Sequence, residues 1–85
     1  MEYIVVAFRS RAHTVAFYEF LKGHGVSAEI VNTPKEAGVG CGLSVKVSAH
    51  ILGAVKKAVS MTAFNSFAGF FLVKNLAGQR IVKSI

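Results

Sequence analysis

Near the start of the chain, Tyr3-Ile4-Val5-Val6-Ala7-Phe8 run without a charged, amide or hydroxymethyl side chain between them. A strand with one wet face alternates apolar and polar residues. An uninterrupted run of β-branched and aromatic residues reads as a central strand covered on at least one face. The 85 residues allow one domain, spanning 1–85, with one core. Everything else in the chain must be arranged as cover for that strand.

The covering elements can be read in order. Ser10 offers a side-chain oxygen to cap a helix from about Arg11 to Lys22, with Val15, Tyr18 and Leu21 at helical spacing. Gly23 and Gly25 end it. Val26 to Asn32 alternates as a second strand, broken by Thr33-Pro34 and a glycine-rich loop. Leu43, Val45 and Val47 alternate with Ser44, Lys46 and Ser48 as a half-buried third strand. Ser48 then caps a second helix with an apolar stripe of Ile51, Leu52, Val55, Ala58 and Val59.

After Ser60 two patterns compete. Met61, Phe64, Phe67 and Phe71 recur at nearly helical intervals, whereas Gly69 with Phe70-Phe71-Leu72-Val73 argues for a strand. Ala77-Gly78 reads as a turn, with Arg80 to Lys83 a short strand pairing back. The order is β-α-β-β-α-β with an extra C-terminal strand, which predicts an α+β, ferredoxin-like split βαβ fold. Both helices then lie on one sheet face. The other face is expected to be polar or covered by a partner. With 53% hydrophobic residues and 16% charged ones, the apolar surplus predicts a homodimer.

One cysteine cannot form an internal disulfide, and small secreted domains usually depend on several. With no signal pattern at the N-terminus and no apolar stretch of the ~20 residues needed to cross a bilayer, a cytoplasmic protein is expected. The net charge of +6 comes from cations scattered along the chain. They form no basic stripe with interleaved aromatics, which argues against nucleic acid as a partner. His13, His24 and His50 are spread over three elements and offer no metal-ligand spacing. The glycine loop precedes a strand, not a helix, so it is no phosphate fingerprint, and no cofactor is implied.

The remaining chemistry is Cys41, between Gly40 and Gly42. Glycines on both sides leave the sulfur unshielded by neighbouring Cβ atoms. In the expected topology this loop lies at the sheet edge where the first helix begins, beside Arg9, Ser10, Arg11 and His13. A helix N-terminus carries roughly half a positive charge. Arg9, Arg11 and Lys35 add full charges and His13 a proton donor, all favouring the thiolate. As an inert alternative, Cys41 fills a small pocket beneath a tight loop.

Pro34-Lys35-Glu36 followed by Gly40-Cys41-Gly42-Leu43 resembles the Pro-Arg-Glu … Cys-Gly-Leu signature of a small bacterial family of sulfur/selenium carrier-like proteins. Ser10 and His13 fit its Ser-x-x-His helix opening, and Leu21-Lys22 with Gly25-Val26 its helix exit. The likeness covers roughly residues 3 to 60. Lys35 departs from the usual Arg and loses its bidentate fork. The resemblance implies a carrier rather than a free-standing enzyme, holding sulfur or selenium on Cys41 as a persulfide or selenyl-sulfide between donor and acceptor proteins. No second cysteine is present to expel the cargo as a disulfide. Two other classes fit the residues: a regulatory module gripping a small anion in the glycine loop, and a basic nucleic-acid-binding domain.

Overall fold

A computed structural model describes residues 1–39 and 42–85. The chain forms β1 (Glu2–Phe8), α1 (Arg11–Gly23), β2 (Glu29–Asn32), β3 (Leu43–Ser48), α2 (Leu52–Met61), β4 (Phe67–Leu76) and β5 (Gln79–Ser84). Single 3₁₀ turns at Lys35–Ala37 and Ala49–Ile51 precede β3 and α2. The five strands make one antiparallel sheet in the order β2-β3-β1-β4-β5, compatible with the expected split βαβ order.

β1 is central, and it is covered on both faces. Ile4, Val6 and Phe8 join Phe17 and Leu21 of α1 and Val55 of α2 in the main core. Val5 and Ala7 point the other way and are just as buried, with Phe71 and Val73 of β4. That second face is covered from within the chain, where a polar or partner-covered surface was expected. Ala37 and Val39, from the segment between β2 and β3, pack against it, as do Tyr3, Val31, Ala68 and Val82. Burying a Val or Phe side chain contributes about 1.5–3 kcal/mol, so a continuous apolar β1 needs both covers to realise that gain.

Local chemistry explains the element ends. Ser10 accepts a hydrogen bond from the His13 N–H at 3.2 Å, so the expected cap forms. At the other end the Val26 N–H reaches Leu21 O and the Gly25 N–H reaches Lys22 O, with Gly25 at φ +76°. This is the paired closure of a helix by a left-handed residue. It uses up Val26, which is why β2 begins at Glu29 and is shorter than the alternation from Val26 suggests. Ser48 also caps as expected, but the turn it starts is 3₁₀ before α2 takes over at Leu52.

The aromatic segment after Ser60 resolves as strand. Phe8 pairs with Phe67 while Ala7 pairs with Gly69, so Ala68 is an extra residue in a β-bulge. The bulge puts Phe67 and Phe70, three apart, on the helix-facing side, their rings 4.8 Å apart. That offset produced the near-helical spacing in the sequence. Gly69 sits at φ +145°, and a Cβ there would lie 3.3 Å from the Phe71 ring. Leu76 and Gln79 then flank a two-residue turn in which Ala77 (φ 50°) and Gly78 (φ 79°) are both left-handed.

Two opposite stability effects are expected. Ala77→Gly relieves a left-handed alanine and raises stability by about 1 kcal/mol. Gly69→Ala strains the bulge and lowers it by roughly 1–3 kcal/mol. Urea unfolding midpoints of the two variants check both signs.

Candidate functional site

The site is built at the edge where β1 ends, α1 begins, β3 starts and the segment before β4 returns. The Arg9 N–H donates to Ser66 O at 2.8 Å, extending the β1–β4 pairing past the bulge. This places Ser66 opposite the first turn of α1, where its Oγ lies 2.6 Å from His13 Nδ1. The His13 ring stacks on Phe64, with centroids 4.9 Å apart and planes at 25°. Phe64 in turn meets the buried Phe8 ring edge-on at 6.0 Å. The imidazole is therefore held on one face by an aromatic anchored in the core and at one nitrogen by a hydroxyl.

α1 is also tied to the start of β3. Thr14, fully buried, places Oγ1 3.1 Å from Ser10 O and 3.3 Å from Leu43 O. The base of the loop between β2 and β3 closes through the Thr33 N–H, donating to Gly42 O at 2.9 Å. Thr33 Oγ1 also lies 2.6 Å from the buried Ser44 Oγ. The Thr14 bond ties Leu43 to the first turn of α1, and the Thr33 bonds tie Gly42 and Ser44 to the end of β2.

Of the expected site residues, Ser10 and His13 meet through the cap. Arg9 is exposed, its Nη1 reaching Phe67 O at 3.5 Å, and Arg11 is exposed in the first turn of α1. Gly42 closes the loop. Lys35 stands elsewhere, exposed in the 3₁₀ turn that lies against β5. Gly40 and Cys41 lie outside the described residues. Thr14, Phe64 and Ser66 join the site without having been singled out for it. Ser66, in a stretch with no motif, gave no signal. Among the described residues no group of three or more His, Cys, Asp or Glu side chains could hold a metal ion. No helix of the described chain is long and apolar enough to cross a membrane.

The loop has a second anchor. Arg80 of β5 grips Glu36 with both ends of its fork, Nε to Oε2 at 3.1 Å and Nη2 to Oε1 at 2.8 Å. The Arg80 hydrogen bond holds the Glu36 carboxyl below its ordinary value, and Glu36 raises Arg80 in return. Glu36, part of the Pro34-Lys35-Glu36 motif, is thus the clasp of the loop on the second sheet face.

The fold and site together define a small α+β domain in which the segment leading to the cysteine packs on the helix-free sheet face and the start of β3 is tied to a capped helix. The family model described as "Putative Se/S carrier protein-like" matches residues 2–64, and the chain belongs to that family. Comparison with curated proteins gave no match, and comparison with solved structures gave none.

Because Glu36 is lowered in the folded state, its contribution is complete above its ordinary value of 4.5 and is lost as pH falls through the lower folded value. Hydrogen exchange at the Ala37 N–H, which donates to Pro34 O, should therefore stay slow from neutral pH down to about 4.5 and accelerate only below it, after correction for intrinsic rates. Glu36→Gln should remove that step.

Proposed function

We propose that this protein is a ferredoxin-like sulfur or selenium carrier with Cys41 as the attachment atom. The observation that supports it most is the family match over residues 2–64, which includes the whole cysteine loop and the α1 N-terminus. The described geometry fits the chemistry. Gly42 is bonded to Thr33 at the end of β2, and Leu43, two residues after Cys41, to Thr14 in the first turn of α1. There the helix dipole favours an anionic sulfur. Arg9 and Arg11 add charge on the same edge, whereas Lys35 stands away from it.

The transfer is a thiol exchange without net oxidation. The Cys41 thiolate attacks the outer sulfur of a persulfide on a donor protein. A new S–S bond forms, the donor's S–S bond breaks, and the donor leaves as a thiolate. His13 is the proton donor on this edge, positioned by Ser66 and Phe64; it protonates the departing thiolate. The acceptor step repeats the exchange with the roles reversed. A single cysteine suits this use, because no neighbouring thiol can displace the cargo. A reducing, cytoplasmic setting and a homodimeric state belong to the same proposal.

Intact-mass spectrometry after incubation with a cysteine desulfurase and cysteine should find one added sulfur, removable by reductant. It should be absent from Cys41→Ser, and His13→Ala should load about tenfold more slowly. Equal loading of wild type and Cys41→Ser would reject the proposal.

A further inference from the structure

α1 and α2 both pack on the sheet rather than on each other. The side chains that α2 turns toward α1 include Ala54 and Ala58, one turn apart and too short to bridge the gap. What remains is an open groove of about 470 Å³. Phe20, Leu21 and Val26 line one wall, Ile51, Ala54 and Ala58 the other, and the buried Val55 part of the floor. Small-molecule sites are apolar clefts of roughly 300–1,000 Å³ with a few placed polar groups. The volume falls in that range.

The polar groups are also one-sided in charge. Lys57 and His24 line the groove, and no carboxylate does. Glu2, Glu29 and Glu36 are paired elsewhere with Lys74, Lys46 and Arg80, and Glu19 is exposed outside the lining. Among the described residues Lys57 makes no ion pair. The His24 Nδ1–H donates to Phe20 O at 2.8 Å, which fixes the ring at the rim. The lining is thus apolar with one cation, Lys57, and no carboxylate to neutralise it.

We infer that this groove binds a small amphipathic monoanion, an aliphatic or aromatic carboxylate. Its apolar body lies between the helices and its head group meets Lys57. The inference stands apart from the carrier reading, since none of the groove's lining belongs to the cysteine loop or to the His13–Ser66 pair.

The test titrates decanoate into the ¹⁵N-labelled full-length chain and follows amide shifts. Saturable shifts at Gly25, Ala54 and Ala58 are expected. Lys57→Glu, an exposed substitution that leaves the core intact, should weaken binding about tenfold, equivalent to about 1.4 kcal/mol. Decanol should bind similarly worse. Ala54→Trp, which fills the groove, should abolish binding while keeping a cooperative unfolding transition. Cys41→Ser should bind decanoate as wild type does, which separates this inference from the carrier proposal. Absence of saturable shifts, shifts confined to other surfaces, or unchanged affinity in Lys57→Glu would each overturn it. Shifts at the same residues that grow with protein concentration alone would overturn it too, by assigning the groove to a second copy of the chain.

Discussion

Burial of β1 on both faces is the constraint on which the rest depends. Five consecutive residues, Ile4 to Phe8, are essentially inaccessible to water. Two helices suffice for the face carrying Ile4, Val6 and Phe8. The face carrying Val5 and Ala7 has no helix, and the chain covers it with β4 side chains and with the segment between β2 and β3. That segment leads directly into the glycine-flanked cysteine. The segment that precedes Cys41 is therefore part of the wall of the second core.

Two kinds of attachment hold this loop. At its base, backbone and hydroxyl bonds from Thr33 are shielded and will resist exchange with water. Further out, Ala37 and Val39 rest on the sheet and Glu36 is clasped by Arg80 in the open. An exposed ion pair is easily traded for water or for another charge. The ion pair is thus the weaker of the two attachments, and the apolar contacts of Ala37 and Val39 are what tie the segment to the second core.

Much of the fold was legible in the sequence. The helix α1 with its Ser10 cap, the strand β3, the stripe of α2 and the C-terminal hairpin follow from local signals that are strong where side chain and backbone agree. The misses have specific causes. Val26 looks like strand but closes a helix. Phe64, Phe67 and Phe71 are at helical spacing, yet Phe64 precedes β4 and the bulge at Ala68 sends Phe67 and Phe71 to opposite faces of the sheet. The second face looked free because its cover comes from a segment with no periodicity. On the site, His13 could be picked out at the start of α1, but its contacts with Ser66 and Phe64 could not. Ser66 reaches it only through the long-range pairing of Arg9 with the strand entry, a contact across 53 residues. Glu36 and Arg80, 44 residues apart, were equally silent until β5 was placed.

The central claim is that Cys41 is a reactive thiolate rather than a filler of space. The rate of alkylation by iodoacetamide, followed by mass spectrometry across pH, tests it most directly. The account predicts a midpoint clearly below the ~8.5 of a free cysteine, moving toward that value in a variant lacking the positive charges of Arg9 and Arg11. A midpoint at or above that of free cysteine, or a thiol that reacts only after unfolding, would contradict it.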